Sequence, residues 1–293
     1  MRLPHRPRPS GDDPLSNSSA VPGEAAEELA ALSTEMERSL PDAAPAARQA
    51  WYREHGRRRA TALLSTLTRM LGRGGLVVAK GAGYGGRALA ERLVQSAPRI
   101  PVRKLATLRA QYPDATGPEE LADRLITGAC RASGALGAGV GAAAMMPVPP
   151  ALPVEIAAET LAVAAVEIKL IAELHEVYGV PAAGNVTQRA TAYVTAWANR
   201  RGIDGSLLVR PAGLAAMAVG SEVRRKVSKR LTRSSLRKLP SMLPFLVGAG
   251  IGATLNRRET RKLAVQVRTD LQHRTPADAG YWTAVAPGGD VSE

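Results

Sequence analysis

Cysteine occurs once in this chain, at Cys130. One thiol excludes an intrachain disulfide and a cysteine-based zinc site, and among small apolar neighbours it reads as a small hydrophobe. Aromatic residues are only 3% of the 293 residues. That scarcity, and the lack of period-2 runs of Val, Ile, Tyr and Phe, argue against a β-sandwich. Histidine appears only at positions 5, 55, 175 and 273, with no Gly-x-Ser-x-Gly elbow anywhere. No catalytic residue can be named from so sparse a set. The opening stretch, Met1 to Pro14, has no apolar run of the secretory type, so a cytoplasmic location is expected.

Apolar residues are nevertheless 45% of the chain, much of that Ala and Gly. Small side chains let helix backbones approach closely, so the expected fold is an all-α helical bundle. The formal net charge is +13, unevenly spread. Glu24 to Asp42 and Glu155 to Glu176 are acidic stretches, whereas Arg53 to Arg109 and Arg224 to Lys238 are basic. Basic patches attract polyanions, either nucleic acid or anionic lipid.

Four regions follow from the order of breakers and periodic segments. Residues 1–23 are rich in Pro, Arg and Ser and are expected to be disordered. Residues 24–45 hold a short acidic helix, with Leu29, Leu32, Met36 and Leu40 at helical spacing, and a proline-bounded linker. Residues 46–275 form the main helical domain. Its expected helices run from Ala46 to Leu71, from Pro118 into a glycine-rich run, from Glu155 to Tyr178, Val186 to Asn199, Leu214 to Leu231 and Asn256 to Gln272. Residues 276–293 are expected to be a flexible tail.

A glycine motif recurs three times: Gly81-Ala-Gly-Tyr-Gly85, Gly137-Ala-Gly-Val-Gly141 and Gly248-Ala-Gly-Ile-Gly252. Each places two glycines on one helix face, where another helix can approach. The last two lie in apolar segments, Ala132 to Val154 and Leu239 to Asn256, which read as hairpin-like packing elements. The second approaches the roughly 17 to 20 residues of a spanning helix. Four prolines in the first make it a poor helix in lipid, which favours surface attachment over spanning. Gly81, Gly83 and Gly86 also mimic a dinucleotide turn, and Gly81 to Ala88 mimics a phosphate loop. No acid stands at the ribose position, and Arg87 and Ala88 replace the Lys and Ser/Thr that a phosphate loop needs. Helix packing is the better reading.

Glu155, Glu159, Glu167, Glu173 and Glu176 share one helical segment with Lys169 and His175. Bundle metal sites use Glu-x-x-His on paired helices, and Glu173-Leu-His175 has the wrong spacing, so no metal or other cofactor is expected. An amphipathic helix with one wet side, its charges pairing along a solvated face, is expected instead. Arg224, Arg225, Lys226, Lys229, Arg230, Arg233, Arg237 and Lys238 precede the second apolar segment, with Val223, Val227 and Leu231 as an apolar stripe. A cationic amphipathic helix beside an apolar segment suits an anionic membrane surface. Nucleic acid is the alternative partner, but aromatic platforms and a helix-turn-helix are missing.

The glycine-rich run, Leu152-Pro153 and the long helix ending at Tyr178-Gly179 resemble the EcsC family. So does Leu243-Pro-Phe-Leu-Val-Gly248 through Gly252-Ala-Thr-Leu-Asn256 to Thr260. Ala151 stands where that family often has an acid, and Val180-Pro181 does not match its polar position after Tyr-Gly. The resemblance spans about Arg57 to Leu271. It implies a helical, membrane-associated protein of undefined biochemical role, and it carries over no catalytic residue. The function expected from the whole sequence is non-enzymatic, by interaction with lipid or a membrane protein, a transporter among them.

Overall fold

The computed structural model describes residues 20–73, 92–143, 152–202 and 246–285, and every element in them is helical. The helices are α1 (Ala20–Glu37), α2 (Pro45–Arg73), α3 (Leu105–Gln111), α4 (Pro118–Ala143), α5 (Leu152–Val177), α6 (Val186–Arg200) and α7 (Leu246–Gln272), with a 3-10 turn at Ala97–Arg99. The fold is an all-α bundle. Its axis is the pair α4 and α5. The first packs on α7, α5, α2 and α1, and the second on α4, α2, α7 and α6.

Local chemistry sets the boundaries. Pro45 and Pro118 open α2 and α4, where a missing N–H costs nothing. At α4 the acids Glu119 and Glu120 follow in the first turn, and Glu120 accepts from the Thr116 amide and hydroxyl, both at 3.0 Å. Asn185 and Gln188 form a reciprocal capping box at the start of α6. At the end of α5, Gly179 adopts φ +68°. The Val180 amide then reaches the His175 carbonyl at 2.9 Å and the Gly179 amide reaches that of Glu176 at 3.1 Å, closing the helix.

Apolar stripes legible in the sequence form the core. Leu29, Leu32 and Met36 of α1 and Ala60, Leu63, Leu67 and Leu71 of α2 are buried, as are Leu121, Leu125 and Leu136 of α4. Several boundaries differ from expectation. Helix α1 starts at Ala20, inside the stretch expected to be disordered, and α5 starts at Leu152 rather than Glu155. Helix α7 starts at Leu246, ten residues before Asn256, because its glycines pack within a long helix and do not interrupt it. Pro276 does not begin a loose tail: Tyr281, Trp282 and Val285 pack against the core. Tyr281 lies where a Cβ on Gly179 would fall, 2.7 Å from its ring. The Arg109 guanidinium sits 4.6 Å above the Trp282 ring and donates to the Trp282 carbonyl. The segment Leu214 to Leu231 and residues 286–293 lie outside the described residues, as do residues 1–19.

Candidate functional site

Two of the six motif glycines meet. A Cβ on Gly137 would lie 2.6 Å from the Gly252 carbonyl oxygen, and one on Gly252 would lie 2.7 Å from that of Gly137. The backbones of α4 and α7 therefore touch directly, and that pair of helices makes the most extensive contact in the bundle. Gly134, one turn earlier, lies against the Arg257 side chain, and Gly128 lies against Glu37 of α1. Gly141 and Gly248 lie within α4 and α7. Gly81 and Gly85 lie outside the described residues. So does the whole basic group Arg224, Arg225, Lys226, Lys229, Arg230, Arg233, Arg237 and Lys238.

The expected wet side of α5 is absent for most of its charged residues. Glu159, Glu167, Lys169, Glu173 and His175 are all buried, Glu167 at 1% and Glu173 at 2% exposure. Charges this deep persist only if donors and counter-charges reach them, and each carboxylate has its own. Asn256 of α7 donates to Glu159 at 3.0 Å. Glu167 accepts from Trp197 Nε1 at 2.8 Å and from Arg201, through Nε at 3.0 Å and through Nη2. Thr260 Oγ1 stands 2.9 Å from both Glu167 and Ser133 Oγ. A hydroxyl has one proton, so Thr260 gives it to the carboxylate and accepts from Ser133.

Glu173 anchors the third centre. Arg103 donates to it through Nε at 2.8 Å and Nη2 at 2.7 Å, and the Arg103 amide adds a third bond at 3.2 Å. The same guanidinium grips Glu37 of α1 at 2.8 and 2.9 Å and Gln111 of α3 at 2.9 Å. Lys169 pairs with Glu173 one turn away, and Tyr112 donates to Glu37 at 2.5 Å. Burial alone would raise the Glu173 carboxyl, but Lys169 and Arg103 hold it below the usual range. Burial lowers the Lys169 ammonium, with Arg103 adding to the effect. Burial and then Glu37 push the Tyr112 hydroxyl up.

A cleft of about 650 Å³ opens beside this centre, with Glu37, Gln111 and Tyr112 in its wall and Arg38, Arg48, Tyr52, Arg124 and Arg131 around it. Among the described residues no group of three or more His, Cys, Asp or Glu is placed to hold a metal ion. No helix among them is long and apolar enough to cross a membrane.

Sequence reasoning missed Arg103 and misjudged the basic stretch around it. Much of the stretch from Arg53 to Arg109 is not an open patch: Arg59 pairs with Glu35 at 3.0 Å, Arg69 with Glu24 at 3.4 Å, and Arg109 is buried. The usable signal was complementarity between the acidic segment of α1 and the basic segment that follows it. No protein-family profile, curated protein or solved structure matches the chain. The class is therefore defined by fold and site alone, as an all-α bundle with a glycine seam and a row of buried carboxylates.

Proposed function

We propose that this chain is an interaction protein that attaches peripherally to the inner face of the cell membrane. The basic segment Arg224 to Lys238 holds anionic lipid, and the helical body engages lipid or a membrane protein. One observation carries this reading, the partition of charge. Fifteen residues from Arg224 to Lys238 contain eight cations and no acid, hence +8 of the formal +13. Among the described residues, Arg57, Arg59, Arg103, Arg124, Arg201 and Arg268 are matched to carboxylates. The excess charge thus sits largely in one segment. The EcsC resemblance points the same way, and its Gly252, Asn256 and Thr260 are among the residues that join α7 to α4 and α5.

Co-sedimentation tests the reading. The full chain should pellet with phosphatidylglycerol-containing vesicles at low salt and stay in solution with pure phosphatidylcholine. Each cation near an anionic surface is worth about 1 kcal/mol. Replacing Arg224, Arg225, Lys226 and Lys229 by Gln should therefore weaken binding on the order of a thousandfold. A chain that ignores anionic vesicles at low salt would sink the proposal. Tighter retention on duplex DNA than on vesicles at equal ionic strength would move the assignment to nucleic acid.

A further inference from the structure

The cleft beside Glu37 is lined by four arginines and four carboxylates, but the pairing among them is uneven. Its four carboxylates are all engaged: Glu37 by Arg103, Asp114 and Glu120 by Arg124, and Asp123 by Arg268. Arg124 is spent in doing so. The three other arginines of the cleft, Arg38, Arg48 and Arg131, make no ion pair with a carboxylate among the described residues. Arg131 donates to the Met36 carbonyl at 3.0 Å and lies 3.9 Å over the Tyr52 ring, while Arg38 lies 5.5 Å from the Trp51 ring. Three guanidiniums without a carboxylate partner among the described residues thus border one concave space, and the acid in its inner wall, Glu37, is already paired with Arg103.

We propose that this cleft binds a phosphate monoester carried on a small organic group. A monoester bears a charge of about −1.5 to −2 near neutral pH and three acceptor oxygens, so it can engage several unpaired guanidiniums at once where a ligand carboxylate offers one charge and two oxygens. Guanidinium forks fit phosphate oxygens in pairs, so Arg38, Arg48 and Arg131 supply both charge and donors. A volume of about 650 Å³ exceeds what a bare phosphate fills, and falls in the range of small-molecule sites. Tyr52, Tyr112 and Leu40 offer apolar surface to the organic part. The same group could arrive as a soluble phosphorylated molecule or as a lipid headgroup.

Calorimetric titration of the full chain at fixed ionic strength separates these cases, with phenyl phosphate, inorganic phosphate, benzoate and dihexanoyl phosphatidic acid as probes. Phenyl phosphate is expected to bind one per chain, more tightly than inorganic phosphate and at least about tenfold more tightly than benzoate. Tighter binding of the short-chain phosphatidic acid assigns the lipid source, and weaker binding assigns the soluble one. Arg38 and Arg48 make no side-chain hydrogen bond within the described fold, so the double variant Arg38→Gln/Arg48→Gln should keep its helical circular dichroism. It should lose at least about tenfold in phenyl phosphate affinity. Arg131→Gln should also lose affinity, its folding checked the same way. The variant with Arg224, Arg225, Lys226 and Lys229 replaced should bind phenyl phosphate as the wild type does, which keeps this site distinct from the vesicle-binding segment. Absence of saturable binding by any phosphate probe, equal affinity for benzoate, or unchanged affinity in the double variant would overturn the proposal.

Discussion

Arg103 reaches from the loop before α3 to Glu173 of α5 and Glu37 of α1 with one planar fork. Arg103→Met would leave two buried carboxylates with Lys169 and Tyr112 as their remaining donors. Breaking a buried pair in this way costs about 3–5 kcal/mol, because a charge stays behind without its partner. Arg103→Lys should recover only part, since an ammonium cannot serve both carboxylates in pairs. Urea unfolding measures both, and a loss below about 1 kcal/mol in the Met variant would refute the bridging role. His175 gives a pH test. Its Nδ1 donates to the Ile171 carbonyl at 2.7 Å, and its ring packs edge-on to Tyr193. Burial lowers its pKa below the usual 6.5, with Arg274 and Arg200 adding to the effect and the bond to Ile171 opposing it. A depressed histidine leaves the unfolded chain binding more protons as pH falls below 6.5, so acid destabilises the native state there. The melting temperature should fall between about pH 7.5 and 5.5, and His175→Phe should flatten that slope; an equal slope in both proteins would assign it elsewhere. These buried groups were misread from sequence for a clear reason. Charged residues default to the surface, and the donors that reverse the default lie far off, Arg103 at 70 positions from Glu173 and Arg201 at 34 from Glu167.

Helices were more legible than their surroundings because their stripes and stop signals are local. Pro118 with Glu119 and Glu120, and the Leu29–Leu32–Met36 stripe, announced α4 and α1 within one window. Helix α3 was missed: seven residues between Pro101 and Pro113 give too few turns for periodicity to show. The glycine repeat was legible as a packing device, but only the folded chain pairs Gly137 with Gly252 rather than with another copy. Three substitutions rank the seam. Ala normally improves a helix over Gly by about 0.5–1 kcal/mol. At Gly137 and Gly252 the new methyl would strike backbone, which cannot yield without moving a helix, so Gly137→Ala and Gly252→Ala should each destabilise by about 1–3 kcal/mol. At Gly134 it would meet Arg257, a flexible side chain at 2.4 Å that can swing aside. Gly134→Ala should therefore cost less than the other two in guanidinium unfolding. The reverse order would show that α4 and α7 do not bear on each other through this seam.

Across the whole molecule, charge is sorted by whether the fold can hold it. Arg103 and Arg201 reach buried carboxylates on α5, and Arg268 ties α7 to Glu119 and Asp123 of α4. The buried pairs of Arg103 and Arg201 are weakly screened, whereas the proposed attraction between the basic segment and a lipid surface passes through water. Salt should therefore separate the two. Between about 0.1 M and about 1 M salt the screening length shrinks from about 10 Å to about 3 Å. Exposed pairs such as Arg57–Glu54 contribute little at any salt, so the melting temperature should shift by no more than about a few degrees. Over the same range the chain should leave anionic vesicles almost completely, because multiple phosphate contacts give a steep dependence on salt. If melting temperature and vesicle binding collapse together, the lipid contact depends on the folded body and the charge is not sorted as argued. If binding is lost while the melting temperature holds, attachment belongs to the Arg224 to Lys238 segment and the bundle serves as its rigid support.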